Sequence, residues 1–337
     1  MGITPIPPFA PRPLSRLMFA SPPATTTALR LDDHRFWAVA RASLDHVRDT
    51  VEITRGDHEL LDALILTAAL DANMAPVKRA PDLRQAYGGP SVSAPDDLRR
   101  PVSVNAVAQS LNLPFETVRR RARRLAKAGL CVIGPQGMVA PHSLTTSPSY
   151  VADQRARYDR ARRFYETLKA LGAFPAFEPA PPSAPPGAEP PVRAANWALS
   201  EYTLRACADL IALTGDVVSS RVLMELALTA TRPAANGKET GPITADLDPA
   251  GGLARLGRPT RVAALAATLN LPRETVRRRV AELETQGFCR READGVVAAL
   301  PAAMVARVMD LARTNAGNVQ RLFASLARAG VLADWEG

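Results

Sequence analysis

Between Pro114 and Lys127 the chain places six basic side chains, Arg119, Arg120, Arg121, Arg123, Arg124 and Lys127, against one acid, Glu116. A planar guanidinium donates two parallel hydrogen bonds to guanine O6 and N7, or to a phosphate, and a carboxylate accepts from cytosine N4. Both residue types on one helical face suit the edges of base pairs in a major groove. The second stretch of this kind is Arg273-Glu274-Thr275-Val276-Arg277-Arg278-Arg279. A plainer reading stands beside this one: Glu116 and Glu274 fall in a first helical turn, where a carboxylate favours the helix dipole, and a charged helix face is often only solvated. Solvated helices normally mix the two signs, and Pro114 to Lys127 does not.

The two stretches belong to a longer repeat. Placing Leu111-Asn-Leu-Pro114 over Leu269-Asn-Leu-Pro272 aligns Pro101–Ala140 with Pro259–Ala298 without a gap, and about half of the aligned positions are identical. The offset of 158 persists to the end of the chain, pairing Tyr165 with Phe323, Leu168 with Leu326 and Gly172 with Gly330. The repeat therefore covers whole domains.

Each copy predicts helix, tight turn, helix, hairpin. Val262, Leu265, Ala266 and Leu269 share one helical face, and Val276, Val280 and Leu283 share the next. Pro272 ends the first helix, because it lacks an amide donor, and suits the first turn of the second. Gly287 closes that second helix, and Glu292-Ala-Asp-Gly295 reads as a turn between strands Phe288–Arg291 and Val296–Leu300. This is the outline of a winged helix-turn-helix. The outward face of the second helix then carries Glu116, Arg119, Arg120, Arg123 and Arg124 in the first copy, and Arg273, Glu274, Arg277 and Arg278 in the second. Thr117 and Thr275 lie beside them. Arg121 and Arg279 fall nearer the buried side, where they would clamp a phosphate or an acidic neighbour. Arg290 and Arg291 are candidates on the second wing, whereas the first wing, Val132-Ile-Gly-Pro-Gln-Gly137, has no charge.

At Arg273-Glu-Thr-Val-Arg-Arg278 the chain resembles the reading helix of the Crp/Fnr regulators. The resemblance implies that Arg273, Glu274 and Arg278 meet base edges, as do Glu116 and Arg120 in the first copy. Phe115 replaces the first arginine of that pattern, and its ring suits a thymine methyl. The likeness covers the reading head alone, since the nucleotide-binding barrel of that family has no counterpart. The layout, with a helix before each head and a long helix after its wing, is similar to MarR-type regulators.

Composition agrees with a polyanion partner. The 337 residues carry 42 basic and 33 acidic side chains, a net charge of +9, with a pI near 10.1. The longest apolar stretch, Leu60–Ala72, is interrupted by Asp62 and Asp71, so no membrane span is expected. Three cysteines fit a reducing cytoplasm, with nucleoid association following from DNA binding. Cys131 and Cys289 occupy the same position in the two copies; a small apolar packing slot explains this, with a paired redox sensor as the alternative. The four histidines are scattered, and no metal-ligand spacing appears.

The expected fold is mainly α, with two tandem winged helix-turn-helix domains related by internal duplication and flanked by packing helices. Residues 1–32, proline-rich and acid-free to residue 31, predict a disordered basic tail; 33–174 the first domain; 175–193 a proline-rich linker; and 194–337 the second. Flanking helices are expected over 33–50, 57–72, 149–171, 197–213, 219–231 and 302–329, with exposed irregular segments over 73–100 and 232–257.

The expected function is a bacterial, sequence-specific double-stranded DNA-binding transcriptional regulator. One chain supplies both reading helices of an intramolecular pseudo-dimer, and their differences at Phe115/Arg273, Arg123/Ala281 and Arg124/Glu282 predict an imperfect inverted repeat as target. Association into a homodimer is compatible with this layout. The alternatives are a plasmid-type replication initiator with tandem winged helices, and a winged-helix protein-interaction module. No nucleophile–base spacing, phosphate-cradling glycine loop or carboxylate pair stands at a plausible site, so neither enzymatic activity nor a cofactor is expected.

Overall fold

Ser103 starts the first head: its hydroxyl accepts from the Ala106 amide at 3.1 Å and opens helix α5 (Val104–Ser110). The computed structural model of the chain describes residues 33–174, 189–231, 259–300 and 302–336. The expected tail, most of the proline-rich linker and the 232–257 segment lie outside these. The described part is mainly helical, and its strands form only two short hairpins.

After α5, Asn112 turns the chain left-handed (φ 53°), and Pro114 leads into α6 (Phe115–Lys127), which buries Val118, Ala122 and Leu125. Gly129 (φ 74°) ends it, and strands β1 (Val132–Gly134) and β2 (Gly137–Val139) follow, antiparallel with Val132 opposite Val139. A single bridge from Val102 to Met138 adds one residue of a third strand. The same features recur 158 residues later. They are α11 (Val262–Leu269), Asn270 (φ 49°), α12 (Arg273–Thr285) over buried Val276, Val280 and Leu283, and Gly287 (φ 81°). Then come β3 (Cys289–Glu292), β4 (Gly295–Ala298) and a bridge from Thr260 to Val296. Burying each such Val or Leu side chain stabilises by roughly 1.5–3 kcal/mol, so the inner stripe, not the charged face, fixes these helices in place.

Glycine is required at one point of each hairpin. A Cβ on Gly137 would lie 2.4 Å from the Val102 carbonyl oxygen, and one on Gly295 would lie 2.7 Å from that of Thr260.

Four long helices carry the heads: α1 (Asp33–Arg55), α8 (Pro148–Ala170), α9 (Val192–Thr214) and α13 (Val305–Arg328), with α2 (Leu60–Asn73) and α10 (Val217–Ala230) between them and the heads. In the first half α8 packs on α1, and in the second α13 packs on α9. Across the halves, α8 meets α9 and α13 meets α1, while α2 meets α9 and α10 meets α1. Exchanging the halves maps these contacts onto themselves, which is the signature of an internal two-fold. At the centre His46 stacks on Phe164 (4.4 Å between ring centroids), and Phe164 lies 5.6 Å from Phe323 of the other half. This core is continuous with that of the first head, whereas the second head closes a core of its own around Leu265, Val276, Val280 and Phe288.

Residues 73–100 depart from the expected irregular loop. They form α3 (Ala75–Arg79), α4 (Pro81–Tyr87) and a 3-10 turn at Asp96–Leu98, and they bury Met74, Val77 and Ala94 beside Trp197. Pro76 and Pro81 stand in first turns, where a missing amide costs nothing, so prolines that read as breakers act here as initiators. Helix α7 (His142–Thr145) follows the first wing, and α14 (Val331–Glu336), also unforeseen, sets Trp335 edge-on to Tyr158. Among the described residues no helix is long and apolar enough to cross a membrane.

Candidate functional site

Helices α6 and α12 hold the candidate residues on the side opposite their buried stripes. Phe115, Glu116, Arg120, Arg123 and Arg124 are exposed on α6, with Thr117 and Arg119 half-buried; Arg273, Glu274, Arg277 and Arg278 are exposed on α12, with Thr275 half-buried. Phe115 is 47% exposed, unusual for a phenyl ring with no polar handle.

The carboxylate of each head is held by the arginine one turn later. Arg119 donates through Nε and Nη2 to both oxygens of Glu116 (2.8 and 2.8 Å), and Arg277 does the same to Glu274 (2.8 and 2.6 Å). Those hydrogen bonds hold the Glu116 and Glu274 carboxyls below their ordinary range and raise the two guanidiniums. A carboxylate fixed this way is an oriented acceptor at the helix start. Arg120, Arg123, Arg273 and Arg278 form no hydrogen bond or salt bridge among the described residues, so their donors face solvent.

Arginines nearer the scaffold are engaged. Arg121 donates to Glu59 and, at 3.1 Å, to Asp62, and Arg124 donates to Glu59 (2.6 Å) and to Asp62. Arg279 meets Glu282 at 2.6 Å and Asp216 at 3.4 Å. Of the two roles expected for Arg121 and Arg279, the acidic neighbour is the one observed. Glu59 and Asp216 each stand just before the helix that supports their head, so the clamp recurs in both halves. Sequence reasoning missed Glu59, Asp62 and Asp216; the only available signal was an acid at the start of the helix preceding each head. Glu59 is pulled down to about 2, chiefly by its hydrogen bonds from Arg124 and Arg121.

No family model, no characterised protein and no solved structure matches this chain.

The wings differ as the sequence implies. Arg290 pairs with Glu292 at 2.7 Å and Arg291 with Glu284 at 3.0 Å, so both wing arginines sit beside their own acids. In the first wing Val132 and Ile133 are 60% and 40% exposed. Behind the wings, Cys131 and Cys289 are buried, with Sγ 3.7 Å from the Ala122 carbonyl and 3.5 Å from that of Val280, residues that themselves correspond in the two copies. Burial pushes both thiols up to about 11, which suits packing rather than thiolate chemistry.

Proposed function

We propose that this chain is a sequence-specific double-stranded DNA-binding transcriptional regulator. Its two winged helix-turn-helix domains, products of one internal duplication, act as an intramolecular pseudo-dimer in the cytoplasm, at the nucleoid. The observation that carries this reading is the pair of helices α6 and α12. Each is pinned by a buried apolar stripe, and each turns outward a bidentate Glu–Arg pair flanked by guanidiniums that have no partner among the described residues: Arg120 and Arg123 on one, Arg273 and Arg278 on the other. The internal two-fold of the supporting helices suits the symmetry of an inverted-repeat site, and the unlike side chains at Phe115 and Arg273 suit an imperfect one.

Selection from random duplexes tests it. An imperfect inverted repeat is expected, with half-sites about one helical turn apart; the absence of any motif, or one half-site alone, overturns the pseudo-dimer. Arg278→Ala is expected to cost about 1–3 kcal/mol and to relax one base position. Equal losses on selected and random DNA would remove its base-reading role.

The exposed, uncharged first wing favours a second reading for that element, as a protein-interaction surface. Mobility-shift assays at moderate salt separate the two: an interaction module gives no shift that depends on Arg120 and Arg123.

A further inference from the structure

The outer edge of the hairpin is closed in one copy and open in the other. In the second head the Val296 amide and carbonyl both bond Thr260 (2.9 and 2.9 Å), so its ladder partner Arg291 turns its own amide and carbonyl away from β4. That outward amide is capped. It donates to Glu284 Oε1 at 3.2 Å, while the Arg291 guanidinium holds Glu284 Oε2 at 3.0 Å. Arg290 and Glu292 add an ion pair along the same strand. Charged side chains on an edge strand guard it against pairing with another chain. The first head has the same ladder without the guard. Met138 bonds Val102 through its amide and its carbonyl (2.7 and 3.1 Å), so Ile133, opposite Met138, points its amide and carbonyl outward, and neither has a partner among the described residues. At the offset of 158, Ala126 stands where the second copy has Glu284, and Val132, Ile133 and Gly134 stand where it has Arg290, Arg291 and Glu292. All three residues of β1 are exposed.

A strand edge with an open donor, an open acceptor and apolar side chains accepts a further extended segment. Its surroundings select the charge of that segment. The Glu284–Arg291 contact shows that the corresponding position 126 faces the edge, and Arg123, one turn before Ala126, and Lys127, beside it, are exposed cations on the same stretch of α6. Neither forms a hydrogen bond or ion pair among the described residues. We propose that β1 takes an extended segment of a partner protein by strand addition. The backbone of the segment pairs with Ile133, an apolar residue of it packs on Ile133 and Ala126, and acidic residues on either side meet Arg123 and Lys127. A second copy of this chain is disfavoured, because pairing two β1 edges brings like cations of both copies together.

Strand addition rests on the reading of the first wing as a protein-interaction surface, and adds to it the chemistry of the partner. Residues opposite each other across a ladder share a face, so Ile133 lies beside fully buried Met138, and an added apolar residue extends that core outward. The contact is short, which places it among weak, reversible encounters. Only the first head offers an open edge, so each chain takes one such segment.

The test titrates the full chain into a fluorescent peptide whose run of valines is flanked by glutamates, and follows anisotropy. One control carries lysines in place of the glutamates; another is N-methylated at every valine, which removes backbone donors and keeps side chains and charge. Saturable binding of one glutamate-flanked peptide per chain is expected, weakened about tenfold or more by N-methylation. Arg123→Gln with Lys127→Gln weakens it about three- to tenfold. Grafting the guard of the second copy, Ala126→Glu with Ile133→Arg, abolishes it without changing net charge. The proposal is overturned if the glutamate-flanked peptide does not bind saturably, if the N-methylated or lysine-flanked peptide binds as well, or if the guarded chain binds like wild type. Pairing of free chains that the guard removes also overturns it, by giving the edge to a second copy. Should the guarded chain fail to fold, the N-methyl comparison on wild type decides. Equal binding by the N-methylated peptide removes strand addition alone; the interaction reading of the wing is decided separately, by whether the DNA mobility shift depends on Arg120 and Arg123.

Discussion

Asn112 and Asn270 hold the same left-handed backbone conformation, φ 53° and 49°, at the turn between the two helices of their respective heads. Each turn also leans on the opposite half: Asn112 Nδ2 donates to the Ala208 carbonyl of α9 at 3.2 Å, and the Leu269 carbonyl accepts from Arg55 of α1 at 3.3 Å. Asparagine tolerates positive φ better than other residues with a side chain. Asn270→Gly is therefore expected to stay within about 0.5 kcal/mol of wild type, while Asn270→Ala loses about 1–2 kcal/mol. Asn112→Gly should lose a further ~0.5–1.5 kcal/mol with its hydrogen bond. Urea unfolding midpoints check the order.

The hairpin glycines allow a sharper prediction. Gly137 and Gly295 have φ 130° and 153°, and a methyl on either would press into the backbone of Val102 or Thr260. Alanine at either position should cost roughly 2–3 kcal/mol from strain. A fall in Tm of less than about 2 °C would show that the third-strand bridge is not held as tightly as described.

Glu59 and Asp62 together keep Arg121 and Arg124 occupied. If α6 meets a duplex, Glu59→Gln combined with Asp62→Asn releases donors and removes two negative charges beside the phosphates. Affinity for DNA of any sequence should then rise, and the slope of log K against log salt should steepen by about 1–2. An unchanged slope would place both arginines outside the contact.

The Glu59 carboxylate gives a pH signature. Its folded value of about 2 lies below the ordinary 4.5, so the stability it adds is fully present above pH 4.5 and is lost as pH falls toward 2. Glu59→Gln should flatten the acid limb of a stability–pH profile over that window and leave the profile above pH 5 unchanged in shape. The Glu59 side chain is 55% exposed, so solvent screening keeps the effect small.

Cys131, Cys207 and Cys289 are all buried, with thiols pushed to about 11, 12 and 11. Iodoacetamide at pH 8 should label none of them in the native protein and all three in urea. Rapid native labelling of the Cys131–Cys289 pair would restore the redox reading.

The heads were legible because their signals are local. Helical periodicity placed Val276, Val280 and Leu283, proline and glycine marked the ends, and repetition checked each assignment. What escaped is set by distance along the chain. Nothing near Arg121 indicates that its partners are Glu59 and Asp62, and nothing near Arg193 indicates that it is enclosed by residues 87–99. The 73–100 segment misled because proline signals both breaks and first turns, and only the packing of Val77, Ala94 and Trp197 decides between them.

The way each turn rests on the opposite half bears on concentration and on likeness. Two separate chains held by such contacts would part on dilution, whereas joined halves meet at an effective concentration on the order of millimolar. Pairing is then guaranteed for every molecule made, however scarce. Neither half must complement a copy of itself, so the two sides can differ: an apolar hairpin here, a charged one there, a phenyl ring at the place of an arginine.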